Sequence, residues 1–230
     1  MCGRITQTDS PITYAQMLGW QGFDSQNLHE GPTADYNAAP GALHWTMRVL
    51  EDERFLIEPV KWHYLSKWAE QKGHSPAINA RLDKLLTPYY RSLMKHGRII
   101  VPANGWYEWV GEKGKKQPWY IRAKTGEPLY LAALTNHLPG EPDTAGAGFV
   151  IVTDDAAGGM LDIHGRRPIA LSAEEARLWM DTGISYQQAE QIARTATLRE
   201  DYFVWYPVSK EVNRAGNNAS HLIEPIQEEP

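Results

Sequence analysis

Six short runs rich in β-branched and aromatic residues, at 55–60, 98–102, 119–121, 129–134, 149–153 and 203–208, constrain the fold of this chain most. Short helix signals fall between them at irregular intervals. Ser10-Pro11 offers a cap and a first-turn proline ahead of Met17 and Leu18, with Gly19 and Gly22 at the far end. Thr87-Pro88 opens a second helix through Met94, and Ser172 with Glu175 and Ser185 with Gln188 form capping-box patterns ahead of apolar residues. The strand–helix alternation of a doubly wound sheet is missing. The pattern predicts an α+β fold with a mainly antiparallel, barrel-like β-sheet core and several short flanking helices. Residues 24–42 carry turn formers without a period and read as an ordered loop, 136–148 as a mobile loop, and 226–230 as a frayed acidic tail. One domain over residues 1–225 is therefore expected, with no internal repeat.

With 230 residues and 42% hydrophobic side chains, the chain can bury a substantial core. Its single cysteine excludes an intramolecular disulfide framework and a cysteine-based zinc cluster. The histidines show no metal-ligand spacing, and no metal is expected. Residues 1–30 lack a basic segment followed by an apolar run, so a cytoplasmic location is expected, at the nucleoid in a bacterium. No apolar run approaches the ~20 residues of a membrane span. The formal charge of −5 argues against a broad basic surface for duplex nucleic acid but leaves room for a local cationic groove. Nine tryptophans and eleven tyrosines exceed what packing alone calls for. Trp62, Trp68, Trp106, Trp109 and Trp119 lie among polar motif residues, where rings stack usefully on unpaired bases, although core packing is the ordinary fate of a Trp.

Cys2 follows the initiator Met1 directly. Once Met1 is trimmed, Cys2 presents a thiol and a free α-amine on adjacent carbons, which together trap aldehydes. The amine condenses to an imine, and the thiol then adds to the same carbon to close a five-membered thiazolidine, an intramolecular second step favoured by entropy. Reference pKa values of roughly 7.7–8.0 for the amine and about 8.5 for the thiol leave part of each deprotonated near neutrality. This chemistry needs no cofactor.

Three further segments carry chemistry. Asn79 and Arg81 are two residues apart, so an extended backbone projects both to one side, where an amide and a phosphate-matching guanidinium grip one ligand; a structural amide with an ion-paired surface Arg fits the same fragment. Gly105-Trp106-Tyr107-Glu108-Trp109 sets one carboxylate among aromatic residues, where desolvation raises its pKa and makes Glu108 a general acid/base; the alternative is a solvent-facing carboxylate at a strand edge. Lys113, Lys115 and Lys116 follow in a Gly-containing hairpin turn and read as a solvated cationic loop. Asp162-Ile163-His164-Gly165-Arg166-Arg167-Pro168 pairs a proton-shuttling imidazole with two guanidiniums for phosphate oxygens. In an extended segment Asp162 would orient the His164 ring. A Walker loop, a dinucleotide glycine fingerprint and an HExxH helix are all missing.

Met1-Cys2-Gly3-Arg4, Tyr36-Asn37-Ala38-Ala39-Pro40-Gly41, Asn79-Ala80-Arg81, Gly105-Trp106-Tyr107-Glu108-Trp109 and the segment from Asp162 to Pro168 together resemble the SRAP family, the SOS-response-associated peptidase-like proteins that act on abasic sites in single-stranded DNA. The motifs run in the family's order, ending near Pro207-Val208-Ser209 and Val212-Asn213. The resemblance implies that Cys2 forms a stable thiazolidine crosslink with the ring-opened aldehyde of an abasic deoxyribose. It implies that Asn79 holds the linkage, Glu108 transfers protons, and His164 assists ring opening and Schiff-base chemistry. Arg4, Arg81 and Arg166 become candidates for the flanking phosphates, joined in the DNA-binding set by Asn37, Pro40, Trp106 and Arg167, with Trp68 as a stacking wedge. The implied partner is single-stranded DNA containing abasic sites, bound by a monomer. The chain departs from the family in three places: Asp83 where Glu is common, Trp62-His63-Tyr64-Leu65-Ser66-Lys67-Trp68 where Trp-Gly-Leu-x-Pro-x-Trp is usual, and Arg167 where Met is common.

Two other classes fit parts of the pattern. A cysteine peptidase would use Cys2 as nucleophile and His164 as base, with self-removal of a short N-terminal extension as its event. A noncatalytic single-stranded DNA binder would use exposed Trp and Arg, indifferent to the lesion and to Cys2.

Overall fold

The computed structural model describes residues 2–25, 33–112, 114–141 and 146–226. Three layers lie across it: helices, a large sheet and a smaller sheet. The large sheet runs Arg166–Pro168, Phe149–Asp155, Leu129–Thr135, Arg98–Ala103, Leu43–Val49, Phe55–Lys61 and Asp24–Ser25, with Ala170–Leu171 and Asn79–Arg81 paired to its inner strands. Its pairings are antiparallel except those of Asp24–Ser25 and Asn79–Arg81. The five-stranded sheet runs Phe203–Pro207, Gln117–Ala123, Gly105–Val110, Ile5–Gln7 and Asp35–Ala38, all antiparallel. The fold is thus α+β and mainly antiparallel as expected. Both sheets are open, and no closed barrel is found among the described residues.

Period-two alternation builds the layers. In Arg98–Ala103 and Leu129–Thr135 every residue is buried, the signature of strands covered on both faces. Ile99, Val101, Leu129, Leu131 and Ala133 point to the small sheet and meet Ile5, Trp106, Ile121 and Phe203. Ile100, Tyr130, Ala132 and Leu134 point the other way, toward Tyr14, Leu18, Met94, Trp179 and Ala193 on the helices. A Leu131→Ala change in this double-sided core should cost about 2–5 kcal/mol.

The helices begin where local chemistry dictates. Ser10 accepts the Thr13 N–H at 3.0 Å ahead of Pro11–Met17, and both capping boxes form, at Ser172 for Ala173–Met180 and at Ser185 for Tyr186–Thr195. Pro88–His96 supplies the remaining long helix of this layer. None of the described helices is long and apolar enough to cross a membrane.

Some elements differ from expectation. Residues 24–42 contribute Asp24–Ser25 and Asp35–Ala38 as strands, because each finds a partner edge; residues 26–32 lie outside the described residues. Leu43–Val49 is also a strand, although His44, Thr46 and Arg48 interrupt its apolar character. Each polar side chain finds a partner: His44 Nε2 donates to the Ala39 carbonyl at 2.8 Å, Thr46 Oγ1 to Glu58 O at 3.0 Å, and Arg48 pairs with Glu58. The buried Gln7 carboxamide joins the layers, accepting the Trp45 N–H at 3.0 Å and donating to the Trp45 and Pro102 carbonyls at 2.9 and 2.8 Å. The 136–148 loop is fastened at its base, where Asn136 Oδ1 accepts the Gly148 N–H at 2.9 Å; residues 142–145, and 227–230 of the expected tail, lie outside the described residues.

Candidate active site

Cys2 is fully buried where the N-terminal strand of the small sheet enters the core between the sheets. Strand Asn79–Arg81 comes alongside, laid parallel to Phe149–Asp155 with Asn79 opposite Ile151. Its approach is fixed just upstream, where the Ile78 carbonyl accepts the Trp62 Nε1–H at 2.9 Å and the Ile151 N–H at 3.1 Å. Asn79 Nδ2 then donates to the Cys2 carbonyl at 2.8 Å. Asn79 Oδ1 is buried with no hydrogen-bond partner among the described residues, so one acceptor at the site is left for a ligand.

Glu108 reaches the same place from strand Gly105–Val110. The strand begins at a glycine because a Cβ on residue 105 would lie 2.5 Å from the Ile121 carbonyl and from the Tyr120 hydroxyl. That close approach sets the register Glu108↔Trp119. Glu108 is 3% exposed, and burial pushes its carboxyl up to about 7, against the opposing positive charges of the amino terminus, Lys116 and Arg166. It is therefore both a proton donor and an acceptor at neutral pH. Burial, and then the Glu108 charge, push the Cys2 thiol up, while the backbone N–H of Arg4 works the other way. The thiol is neutral at physiological pH and needs a base when it reacts.

His164 comes from the turn between the 3-10 helix Gly158–Asp162 and strand Arg166–Pro168. Asp162 closes that helix, so the extended geometry in which it would orient the ring is not formed. The Arg166 backbone does this instead, its N–H lying 2.9 Å and its carbonyl 3.1 Å from Nδ1. Burial first, and then nearby positive charge including Arg166 and Lys116, lower the His164 pKa and keep the ring neutral at pH 7. Glu108 and His164 thus share the field of the same two cations. Lys116, read from sequence as part of a solvated turn, is brought into range by the hairpin of Gly105–Val110 and Gln117–Ala123, which only strand pairing reveals.

The remaining expected contacts divide by burial. Arg81 and Trp68 are exposed. Arg81 is held side-on by Asp83, Nε to Oδ1 at 2.8 Å and Nη2 to Oδ2 at 3.1 Å, and Trp68, 57% exposed, stacks on His74 at 5.6 Å. Arg166 is partly exposed, and Pro40 lies in a turn tied down by the Gly41 N–H to Trp62 carbonyl bond at 3.1 Å. Four others serve the fold. Trp106 is 1% exposed and packs edge-on against Phe203 at 5.3 Å, so its ring is not a stacking surface for a base. Asn37 is buried, with Nδ2 donating to the carbonyls of Val212, Arg214 and Asn217, which pins the C-terminal segment. Arg4 shares that task, bonding Asn37 Oδ1 and the Val212 carbonyl and lying 5.8 Å from the Trp109 ring centre. Arg167 alternates inward from Arg166, donates to the Leu198 carbonyl and lies over Phe203 at 5.8 Å, a setting suited to the Met common there. Among the described residues no group of three or more His, Cys, Asp and Glu side chains is placed to hold a metal ion.

The sequence model of the family described as SOS response associated peptidase (SRAP) matches residues 1–215. This chain belongs to the SRAP family. Abasic site processing protein YedK of Escherichia coli K12 is 37% identical to this SRAP chain over 227 residues, spanning 98% of it and all of YedK. Abasic site processing protein HMCES of Rattus norvegicus is 26% identical, over 94% of this chain and 71% of its own. Among solved structures, a phage-related protein of Bordetella bronchiseptica superposes with a TM-score of 0.77 at 37% identity, covering 91% of this SRAP chain and 95% of the other. A Bacteroides thetaiotaomicron protein shares the SRAP fold with a TM-score of 0.80 at 18% identity.

Proposed function

We propose that this SRAP protein processes abasic sites in single-stranded DNA by forming a thiazolidine crosslink through Cys2 once Met1 has been removed. The observation that carries the reading is the meeting, at one buried point, of the Cys2 backbone held by Asn79 and a carboxyl tuned to about 7. The names of YedK and HMCES supply the substrate class.

His164 takes the proton of the hemiacetal C1′ hydroxyl and delivers it to O4′ as the C1′–O4′ bond breaks, so the imidazole ends as it began and the C1′ aldehyde is released. The freed α-amine of Cys2 adds to C1′, one of its protons passing to the carbonyl oxygen, and protonated Glu108 gives its proton to the carbinolamine hydroxyl, which leaves as water with formation of the protonated imine. The carboxylate left behind takes the thiol proton as Sγ adds to the same carbon and the C=N electron pair returns to nitrogen, so the thiazolidine is neutral and Glu108 is protonated again. One water is lost in all, and no external reductant or oxidant is required. Asn79 Nδ2 keeps the Cys2 backbone fixed through these steps, so that amine and thiol meet one carbon, while its free Oδ1 accepts a hydrogen bond from the carbinolamine.

Intact mass spectrometry before and after mixing with single-stranded DNA bearing one abasic site tests this. The expected result is loss of Met1 from the protein and a denaturation-resistant adduct at the summed mass less one water. Cys2→Ala abolishes the thiazolidine, and so does an uncleaved N-terminal tag. Equal crosslinking by a tagged protein overturns the aminothiol route.

A further inference from the structure

Trp119 stands beside Glu108 and has no role in the chemistry above. It is the direct cross-strand partner of Glu108, and Pro207 faces it from the other neighbouring strand. Directly opposed residues of an antiparallel pair project from one face with Cβ atoms roughly 4.5–5.5 Å apart, so the indole rises next to the carboxyl. The other aromatic residues of this hairpin are taken up by packing: Trp106 on Phe203, and Tyr107 with Trp109 and Tyr120. Trp119 is partly exposed and belongs to none of the hydrophobic clusters of the described residues. The nearby side-chain charges acting on both Glu108 and His164 are Lys116, in the turn of the same hairpin, and Arg166, both of them positive.

A flat ring beside two cations complements a flat base joined to an anionic phosphate. We infer that Trp119, Lys116 and Arg166 form a subsite for the nucleotide adjoining the abasic sugar, its base stacked on the Trp119 indole and its phosphate against Lys116 and Arg166. This assignment rests on the single-stranded DNA reading above and adds to it the residues that seat the neighbour of the lesion.

The test uses equilibrium binding of the full chain to single-stranded oligonucleotides carrying a tetrahydrofuran abasic analogue, which has no aldehyde and cannot crosslink. One oligonucleotide keeps ordinary bases on both sides of the analogue; a second is base-free on both sides as well. Trp119→Ala is expected to weaken binding to the first by roughly 5- to 100-fold and to leave the second unchanged, with Trp119→Tyr restoring most of the loss. Lys116→Gln should weaken both alike and flatten the dependence of log affinity on log salt by about 0.7. Unaltered binding of both oligonucleotides by Trp119→Ala overturns the subsite. So does an equal loss for both, which is what a disturbed hairpin would give. Because no covalent step is read, failure of Cys2 to crosslink overturns the thiazolidine chemistry without deciding this assignment.

Discussion

Glu58 and Glu108 are both buried strand carboxyls, 5% and 3% exposed, and they sit on different sheets in different company. Glu58, in the large sheet, pairs with Arg48, lies 3.6 Å from His137 Nε2, and is closed in by Arg48 donating to the His137 carbonyl at 3.0 Å. Glu108, in the small sheet, shares its strand face with Trp106 and lies across the ladder from Trp119, and burial raises its pKa to about 7. Burial alone therefore does not decide what a strand carboxyl does. Through its contact with Arg48, Glu58 anchors two strands and a loop. At Glu108 burial outweighs the charge and hydrogen bond of the amino terminus and the charges of Lys116 and Arg166, which leaves a proton that can move at neutral pH.

Replacing Glu108 should give the largest effect. Glu108→Gln is expected to slow crosslinking in single-turnover assays by about 10²–10⁴-fold, the usual worth of a positioned general acid–base group. In the wild type, rate should rise with pH as the Cys2 amine loses its proton and fall as Glu108 loses its own, with a maximum between about 7 and 8. Glu108→Gln should remove the falling limb. Stability should move the opposite way. The folded-state pKa of Glu108 lies above its unfolded value, so the folded chain holds the extra proton between about 4.5 and 7, and stability declines as pH rises through that window. Above it, Glu108→Gln should be more stable than wild type by on the order of 2–3 kcal/mol in denaturant titrations, and the gain should vanish near pH 4. A variant that loses both rate and stability would place Glu108 with Glu58 as a structural anchor.

The counterpart change is Glu58→Gln, which strands Arg48 in the interior. It should cost about 3–5 kcal/mol and lower the melting temperature by roughly 10 °C in a chain of this size. Crosslinking per folded molecule should be unchanged. Slowing comparable to that of Glu108→Gln would erase the contrast between the two sites.

Sequence legibility followed the range of the interactions. The capping boxes at Ser172 and Ser185 are readable because donor and acceptor are three residues apart, and the strands at Arg98–Ala103 and Leu129–Thr135 because two-sided burial demands continuous apolar residues. Leu43–Val49 hides its strand character because the partners that let His44, Thr46 and Arg48 be buried lie on other segments. Closure into a barrel was unreadable for a stronger reason, since it depends on which edges of two sheets meet. In the site, Cys2, Asn79, Glu108 and His164 stand out as residue types in suggestive company. What each motif neighbour does was not legible: Asn37 finds its carbonyl partners 175 to 180 residues along the chain.

Arg166 and Arg167 reduce this point to two adjacent side chains of one type and charge. Strand register turns Arg166 toward Glu108 and His164, and Arg167 inward over Phe203. Only the first is in a position to meet a phosphate. Arg166→Gln should weaken binding to single-stranded DNA several-fold and reduce the salt slope by about 0.7, as expected when one phosphate contact is lost. Arg167→Met gives up a hydrogen bond to the Leu198 carbonyl and leaves an unbranched apolar chain to fill the same space over Phe203. Its stability should change by only about 1 kcal/mol, and its DNA affinity and salt slope should match wild type. If the two variants lost affinity equally, net charge rather than strand parity would govern the interface. The division between outward and inward residues would then fail at its most closely matched pair.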